Sequence, residues 1–219
     1  MTSNGDAASS EDLLYHVVYE IIDYHKDTSG TTRTINVFGT FTSLPVAKVV
    51  ARSLLKNWGY SVSDFEIYEV NTNPENWKYG DGVALYAKAR SGQEFRVRLD
   101  TKPNPNQLKG DKEGVVEGHL HYVLQTKIEY INQVWAKQVT EIEGAFSLRK
   151  DAIDAAYSVL LDPERGLTRE QYAVYEEKDT FKDKWPFGDD TFVHAVTQNG
   201  DTFLVEVKTE SKTPPQRDL

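Results

Sequence analysis

The fold is decided by two stretches of equal length, WKYGDGVALYAKARSGQEFRVRLDT at residues 77–101 and WPFGDDTFVHAVTQNGDTFLVEVKT at residues 185–209. Both begin with Trp-x-aromatic-Gly-Asp and continue with two runs rich in β-branched and aromatic residues, which a Gly-containing turn separates. This pattern predicts a shared loop followed by a β-hairpin, and the Asn199-Gly200 pair is a strong signal for its tight turn. One chain therefore contains the same element twice.

The similarity extends upstream over most of the chain. Matching residues occur in the same order in both halves and include Val17 and Val123, Gly39 and Gly144, Phe41 and Phe146, Ala47 and Ala152, Leu55 and Leu160, and Tyr68 and Tyr175. Changes of spacing fall in loop-like stretches, where insertions are tolerated. We interpret the sequence as a tandem duplication, with repeat 1 at residues 13–104 and repeat 2 at residues 119–211.

Each repeat is predicted to form two strands, one helix and three further strands (ββαβββ). Ser43 before Pro45 predicts the start of the first helix, and Gly59 predicts its end. In repeat 2, Ser147 and the Asp162-Pro163 pair mark the same limits. The predicted strands are 14–24, 34–42, 64–70, 83–89 and 94–101 in repeat 1, and 120–131, 134–146, 171–177, 192–198 and 202–209 in repeat 2.

The predicted fold class is therefore α+β, with two antiparallel sheets that are each covered by one helix. A helix of about 14 residues covers roughly 21 Å by 10 Å, which is too little for five strands. We therefore expect the repeats to dock with pseudo-twofold symmetry. The alternative is two separate domains joined by the polar linker at residues 105–118. Residues 1–12 and 212–219 lie outside both repeats and are expected to be flexible.

Composition and charge exclude several classes of protein. Apolar residues make up 39% of the chain, so it can bury a core. No apolar run reaches the roughly 18 residues that a membrane helix needs, and the N-terminus lacks the pattern of a secretory signal. The absence of cysteine excludes disulfides and thiol catalysis and fits a cytoplasmic location. A net charge of −9 disfavours nucleic-acid and membrane partners.

Three segments of repeat 1 carry a resemblance to other proteins: YEIIDYHKD at 19–27, VFGTFTSL at 37–44 and WKYGDG at 77–82. Together they resemble uncharacterised cytosolic proteins of filamentous fungi. The resemblance covers most of repeat 1. It implies no known activity, and no catalytic residue is transferred from it.

Metal and cofactor chemistry lacks a sequence signature. His119 and His121 would lie on one face of a strand, but no third ligand is evident, so we expect structural or solvated histidines and no metal. Motifs for zinc proteases, calcium loops, P-loops, dinucleotide binding and α/β-hydrolases are missing. We therefore expect no cofactor.

The shared Trp-x-aromatic-Gly-Asp loop is the candidate binding site. Its members are Trp77, Tyr79, Asp81, Trp185, Phe187 and Asp189. One interpretation is a local anchor, in which Trp packs over the helix, Gly adopts a positive φ and Asp closes the turn. The other is a pair of aromatic hot spots for a partner.

Function is predicted from this site. The sequence favours a non-enzymatic binding protein, whose occupant is a protein partner or a small ligand held between the repeats. A homodimer is also compatible with this interpretation. The alternative is an enzyme with a carboxylate-based acid–base site in the groove between the repeats, in which Asp81 or Asp189 beside an indole would act.

Overall fold

The duplicated pattern folds into two sheets of the same topology. The computed structural model describes residues 13–30, 32–130, 136–179 and 185–214. Repeat 1 contains β1 (Leu13–Asp23), β2 (Arg33–Phe41), α1 (Leu44–Asn57), β3 (Phe65–Val70), β4 (Val83–Ala89) and β5 (Gln93–Pro103). Repeat 2 contains β6 (His121–Tyr130), β7 (Ala136–Phe146), α2 (Arg149–Ala156), β8 (Tyr172–Glu177), β9 (Thr191–Thr197) and β10 (Thr202–Thr209). The predicted ββαβββ order is confirmed.

Each sheet is antiparallel and has five strands. Their orders are β2-β1-β5-β4-β3 and β7-β6-β10-β9-β8, so the first and last strands of each repeat meet in the middle of its sheet. Equivalent pairs keep the same register, because Ala87 faces Phe95 in one sheet and Ala195 faces Phe203 in the other. The predicted α+β class with one helix for each sheet is confirmed.

Helix α1 covers its sheet with an apolar stripe. Ala47, Ala51, Leu54 and Leu55 are fully buried at helical spacing, as their periodicity predicts. They pack on alternate residues of the strands, among them Val17, Tyr19, Phe95 and Val97. Ser43 is the N-cap residue, although its side chain makes no capping hydrogen bond.

Helix α2 is shorter than predicted. Its N-cap residue is Leu148 rather than Ser147, and it ends at Ala156, well before the predicted limit at Asp162-Pro163. The Ser158 hydroxyl donates to the Ala155 carbonyl (3.0 Å), which is a local bond that competes with helix continuation. Asp162 and Leu167 then exchange two backbone hydrogen bonds of 2.8 Å, which fix this segment as a loop.

The chain groups into two units. Unit 1 comprises Met1–Ile21, Val37–Glu117 and Ser211–Leu219, and unit 2 comprises Ile22–Asn36 and Gly118–Glu210. No helix in the described part of the chain is long and apolar enough to cross a bilayer.

Part of the predicted linker at 105–118 is held by unit 1. The Thr42 amide donates to the Gly114 carbonyl (2.8 Å), and the Val116 amide donates to the Thr40 carbonyl (2.9 Å). Val116 is buried. These bonds extend the ladder past the end of β2, so residues 110–116 have a fixed place in this unit.

The start of the C-terminal tail is also held by unit 1. The Ser211 amide donates to the Val37 carbonyl (3.0 Å), and the Trp58 indole donates to the Lys212 carbonyl (3.3 Å). The predicted flexible segment at 1–12 and the end of the tail, residues 215–219, lie outside the described residues.

Candidate binding site

The first Trp-x-aromatic-Gly-Asp loop leads directly into β4. It follows a short 3-10 turn at Pro74–Asn76, whose start is capped by the Asn73 side chain accepting from the Glu75 amide (3.2 Å). Gly80 has a φ of +105° and its counterpart Gly188 has a φ of +93°. The predicted positive φ is confirmed in both loops, and it explains why Gly occupies this position twice.

Three rings pack in sequence in the first loop. The Trp77 and Tyr79 ring centroids lie 5.0 Å apart at 65°, which is an edge-to-face contact. Tyr79 then stacks on Tyr86 of β4, with centroids 3.9 Å apart and planes at 11°. We call Trp77, Tyr79 and Tyr86 cluster 1.

The second loop repeats this arrangement. Trp185 meets Phe187 at 5.0 Å and 70°, and Phe187 stacks on His194 of β9 at 3.9 Å and 19°. We call Trp185, Phe187 and His194 cluster 2. Both repeats therefore build the same three-ring geometry: the first ring is Trp in both, whereas the second and third rings keep their arrangement although the residue types differ.

A glutamate on the neighbouring strand binds each cluster. Glu69 of β3 lies opposite Tyr86, and Glu176 of β8 lies opposite His194. In cluster 1 the Tyr79 hydroxyl donates to Glu69 Oε1 (3.0 Å). In cluster 2, His194 Nδ1 lies 2.9 Å from Glu176 Oε2. The two glutamates are matched positions of the duplication, so they are equivalent partners.

Burial and neighbouring carboxylates raise the pKa of both tyrosines of cluster 1. The pKa of Tyr79 is raised, first by desolvation of its ring and then by its hydrogen bond to Glu69. The pKa of Tyr86 is also raised, first by desolvation and then by the nearby Glu94 charge. Both phenols therefore stay protonated at neutral pH and act as hydrogen-bond donors.

The Trp residues of the two clusters are intermediate in burial between core and surface. Trp77 and Trp185 are both half-buried, and neither belongs to the core clusters beneath the helices. Each indole N–H is buried and has no hydrogen-bond acceptor among the described residues. The ring contacts observed for Trp77 and Trp185 are with the next aromatic residue of the same loop.

The aspartates of the motif lie at the surface. Asp81 and Asp189 are exposed, and neither carboxylate makes a hydrogen bond within the described ranges. Near Asp189 the observed contact is with its backbone carbonyl, which accepts from Lys178 Nζ (2.5 Å). These side chains therefore do not occupy the closed pocket that the acid–base hypothesis for them requires.

Sequence reasoning missed the third ring of each cluster. Tyr86 and His194 lie the same number of residues after Trp77 and Trp185. A shared planar side chain at matched positions was the available signal, although the residue types differ. Register places both rings beneath the loop that precedes their strand.

Two of the remaining histidines, His16 and His121, pair with threonine hydroxyls. His16 is buried and its Nδ1 lies 2.8 Å from Thr40 Oγ1, and His121 Nδ1 lies 3.0 Å from Thr209 Oγ1. Burial lowers the pKa of His121, and Arg149 and His119 lower it further. Within the described ranges, no three His, Asp or Glu side chains converge as a metal site would require.

Comparison with known proteins adds no relative to this description. No protein-family model, curated protein or solved structure matches the chain. The resemblance to fungal cytosolic proteins stays a prediction. Function must therefore be argued from the clusters themselves.

Proposed function

We propose that this protein is a non-enzymatic binding protein and that cluster 2 recognises basic side chains of a protein partner. The observation that carries the proposal is the recurrence of one three-ring geometry in both repeats, although the second and third rings belong to different residue types. Half-buried Trp and Tyr residues are typical of binding hot spots, because they offer a large contact area at low entropic cost.

Cluster 1 contains an internal example of the proposed contact. Lys78 Nζ lies 5.1 Å from the centroid of the Tyr79 ring and 3.4 Å from Glu69 Oε1. A cation is thus held between an aromatic face and a carboxylate, which is a favourable cation–π arrangement. In repeat 2 the residue that corresponds to Lys78 is Pro186. Among the described residues no cation lies over the Phe187 ring, so a partner can supply one at this position.

Charge around the loops supports the same partner. Asp81 and Asp189 of the two loops are exposed, and the side chain of Glu176 is 52% exposed, whereas Asp190 pairs with Arg149 (3.5 Å). The whole chain carries a net charge of −9. Acidic surfaces of this kind accelerate association with basic partners and select against acidic ones. The absence of cysteine supports a cytoplasmic location for the encounter.

The proposal is tested with an oligo-arginine peptide as the probe and the Trp fluorescence of the full chain as the signal. We expect saturable binding that weakens with salt. Phe187→Ala is expected to weaken it at least about tenfold, as truncation of a hot spot does. Pro186→Lys is also expected to weaken it, because it supplies the cation from within the chain.

Stability measurements separate recognition from anchoring. We expect Trp185→Ala to change the free energy of unfolding by about 1 kcal/mol, the scale of a surface change, and to lose peptide affinity. If Trp185 were a core anchor, its truncation would cost about 3–5 kcal/mol. Tyr130→Ala is the matched control, since Tyr130 is an exposed aromatic residue outside both clusters. Folded cluster variants that bind like the control would contradict the proposal.

A second candidate function is acid–base catalysis by the Glu176–His194 pair. A carboxylate only accepts hydrogen bonds, so Glu176 fixes the proton of neutral His194 on Nδ1 and leaves Nε2 as a base. The test is hydrolysis of an activated ester by the full chain and by Glu176→Gln. Saturable turnover that is lost in the variant would support catalysis. Absent turnover, or turnover unchanged by the substitution, would refute it.

A further inference from the structure

Unit 2 contains a cavity that unit 1 lacks at the equivalent place. Its volume is about 310 Å³, and it lies between the segment after α2 and the face of the sheet that α2 covers. The rim includes Leu167 and Gln171, which are exposed, so the cavity is accessible from solvent. Its lining residues are Gln125, Val159, Leu160, Leu167, Gln171, Tyr172, Thr197 and Phe203.

Because the two units are copies, the residues that line the cavity can be compared with their counterparts in unit 1. Strand register confirms the match, because Tyr172 faces Thr197 just as Phe65 faces Ala89 in unit 1. With the exception of Gln171, every lining residue corresponds to a buried core residue of unit 1. Those counterparts are Tyr19, Leu54, Leu55, Tyr60, Phe65, Ala89 and Phe95. The cavity therefore occupies a place where the first copy is solid core.

Three rings fill the equivalent space in unit 1. Tyr19 and Trp58 meet edge to face with centroids 4.8 Å apart. Tyr60 contacts both Phe65 and Phe95 at 5.6 Å. These rings are among the buried residues beneath α1. The interior of the first copy is therefore closed by a phenol, an indole and a second phenol.

Unit 2 has lost all three rings. Gln125 stands in place of Tyr19, and Leu167 stands in place of Tyr60. The position of Trp58 corresponds to Arg165, whose side chain is 87% exposed and pairs with Asp162 (3.4 Å). Leu167 is 41% exposed, whereas Tyr60 is 3% exposed. The shorter α2 and the loop after it thus leave the space unfilled.

The walls of the cavity suit an aromatic guest. The ring centroids of Tyr172 and Phe203 lie 6.5 Å apart in an edge-to-face contact. Those of Tyr172 and Tyr175 lie 5.4 Å apart in a tilted contact, and unit 1 has contacts of both kinds. No lining residue carries a charge. The Gln125 carboxamide makes no hydrogen bond within the described residues. The Tyr172 and Thr197 hydroxyls already donate to the Leu160 and Asp201 carbonyls, and Gln171 lies at the exposed rim. Gln125 is therefore the group of the inner wall that can still donate and accept.

We propose that this cavity binds a small uncharged aromatic compound of one or two rings, whose hydrogen-bonding group pairs with Gln125. Size supports this class, because a protein cavity of about 150 Å³ accommodates benzene and this one is roughly twice as large. The guest restores the ring contacts that Tyr19, Trp58 and Tyr60 make in unit 1. This site is independent of clusters 1 and 2.

Indole is the probe for the test, because it is uncharged, bicyclic and has one N–H donor. We expect saturable binding to the full chain by calorimetry, with a dissociation constant at or below about 1 mM. Indole-3-acetate, which adds a charge to the same rings, is expected to bind more weakly, since the lining offers no cation. Absence of saturable indole binding by the unaltered chain would overturn the proposal.

Two substitutions locate the site. Gln125→Tyr combined with Leu167→Tyr restores two of the three rings of unit 1, so it is expected to abolish indole binding while the protein stays folded by circular dichroism. Gln125→Leu keeps the volume and removes the polar group, so affinity should fall several-fold, the scale of one hydrogen bond. Should the double variant not fold, Gln125→Leu decides the question.

The control adds a ring elsewhere. Val49 is 66% exposed on α1, so Val49→Tyr should leave indole affinity unchanged. Trp185→Ala should also leave it unchanged, because cluster 2 does not line the cavity. Undiminished binding in a folded Gln125→Tyr/Leu167→Tyr variant, or equal affinity in Gln125→Leu, would show that indole binds elsewhere.

Discussion

At the scale of single residues, His16 is a buried titratable group whose protonation affects stability. It is 1% exposed and its Nδ1 is paired with Thr40. Burial lowers the pKa of His16 to about 4, and the nearby Lys102 and Arg98 lower it too, against an opposing effect of Asp100. The folded protein therefore holds this ring neutral over the whole range in which an exposed histidine becomes charged.

This environment predicts acid sensitivity. The unfolded chain binds a proton at His16 below about pH 6.5, whereas the folded chain resists it down to about pH 4. The contribution of His16 is thus fully present above pH 6.5 and is lost as the pH falls towards 4, by about 3 kcal/mol. Urea unfolding at several pH values measures how the free energy of unfolding changes with pH.

His16→Gln isolates this effect from the titration of the carboxylates. Its amide retains a hydrogen-bonding group for Thr40 and does not titrate. We expect the free energy of unfolding of this variant to fall less steeply between pH 6.5 and 4 than that of the unaltered protein. Parallel curves for the two proteins would show that His16 does not cause the acid sensitivity.

At the scale of elements, the segment at residues 110–116 depends on close backbone approach. Gly114 has a φ of +81°, and a Cβ built on it would lie 2.7 Å from Ser43 Cβ. Gly110 is similarly crowded, because its Cβ would lie 2.5 Å from Thr42 Oγ1. The ladder beyond β2 therefore requires glycine at both positions, and it places the segment against the start of α1.

We expect Gly114→Ala to destabilise the protein by about 2 kcal/mol or more, through strain at positive φ and displacement of Ser43. Gly92→Ala is the matched control, because Gly92 has a φ of +95° with no atom within 4 Å of the added Cβ. It should cost about 1 kcal/mol from the backbone alone. Equal losses in chemical denaturation would mean that the contact with Ser43 is unimportant.

At the scale of the whole molecule, charge governs colloidal behaviour. The net charge is −9 at pH 7 and the isoelectric point is about 5.1. The self-repulsion that this charge produces at neutral pH therefore disappears near pH 5. We expect a solubility minimum there, measured by turbidity between pH 4 and 8. A minimum above pH 7 would contradict this expectation.

The sequence alone determined the features that depend on a few neighbouring residues. Runs rich in β-branched and aromatic residues predicted β4 and β10 with the observed limits, the Trp-x-aromatic-Gly-Asp spacing predicted two equivalent loops, and Gly80 predicted a positive φ. Such signals are local, because side-chain period, turn type and allowed φ are set within one turn or strand.

Only the tertiary structure decided which distant residues meet. Strand register placed Tyr86 under Tyr79 and His194 under Phe187, although the sequence shows only two unlike residues at matched positions. The early end of α2 and the exchange of Tyr19 for Gln125 opened a cavity that no single segment reveals. Contacts and voids of this kind depend on the space that all neighbouring elements leave, and that space exists only in the folded chain.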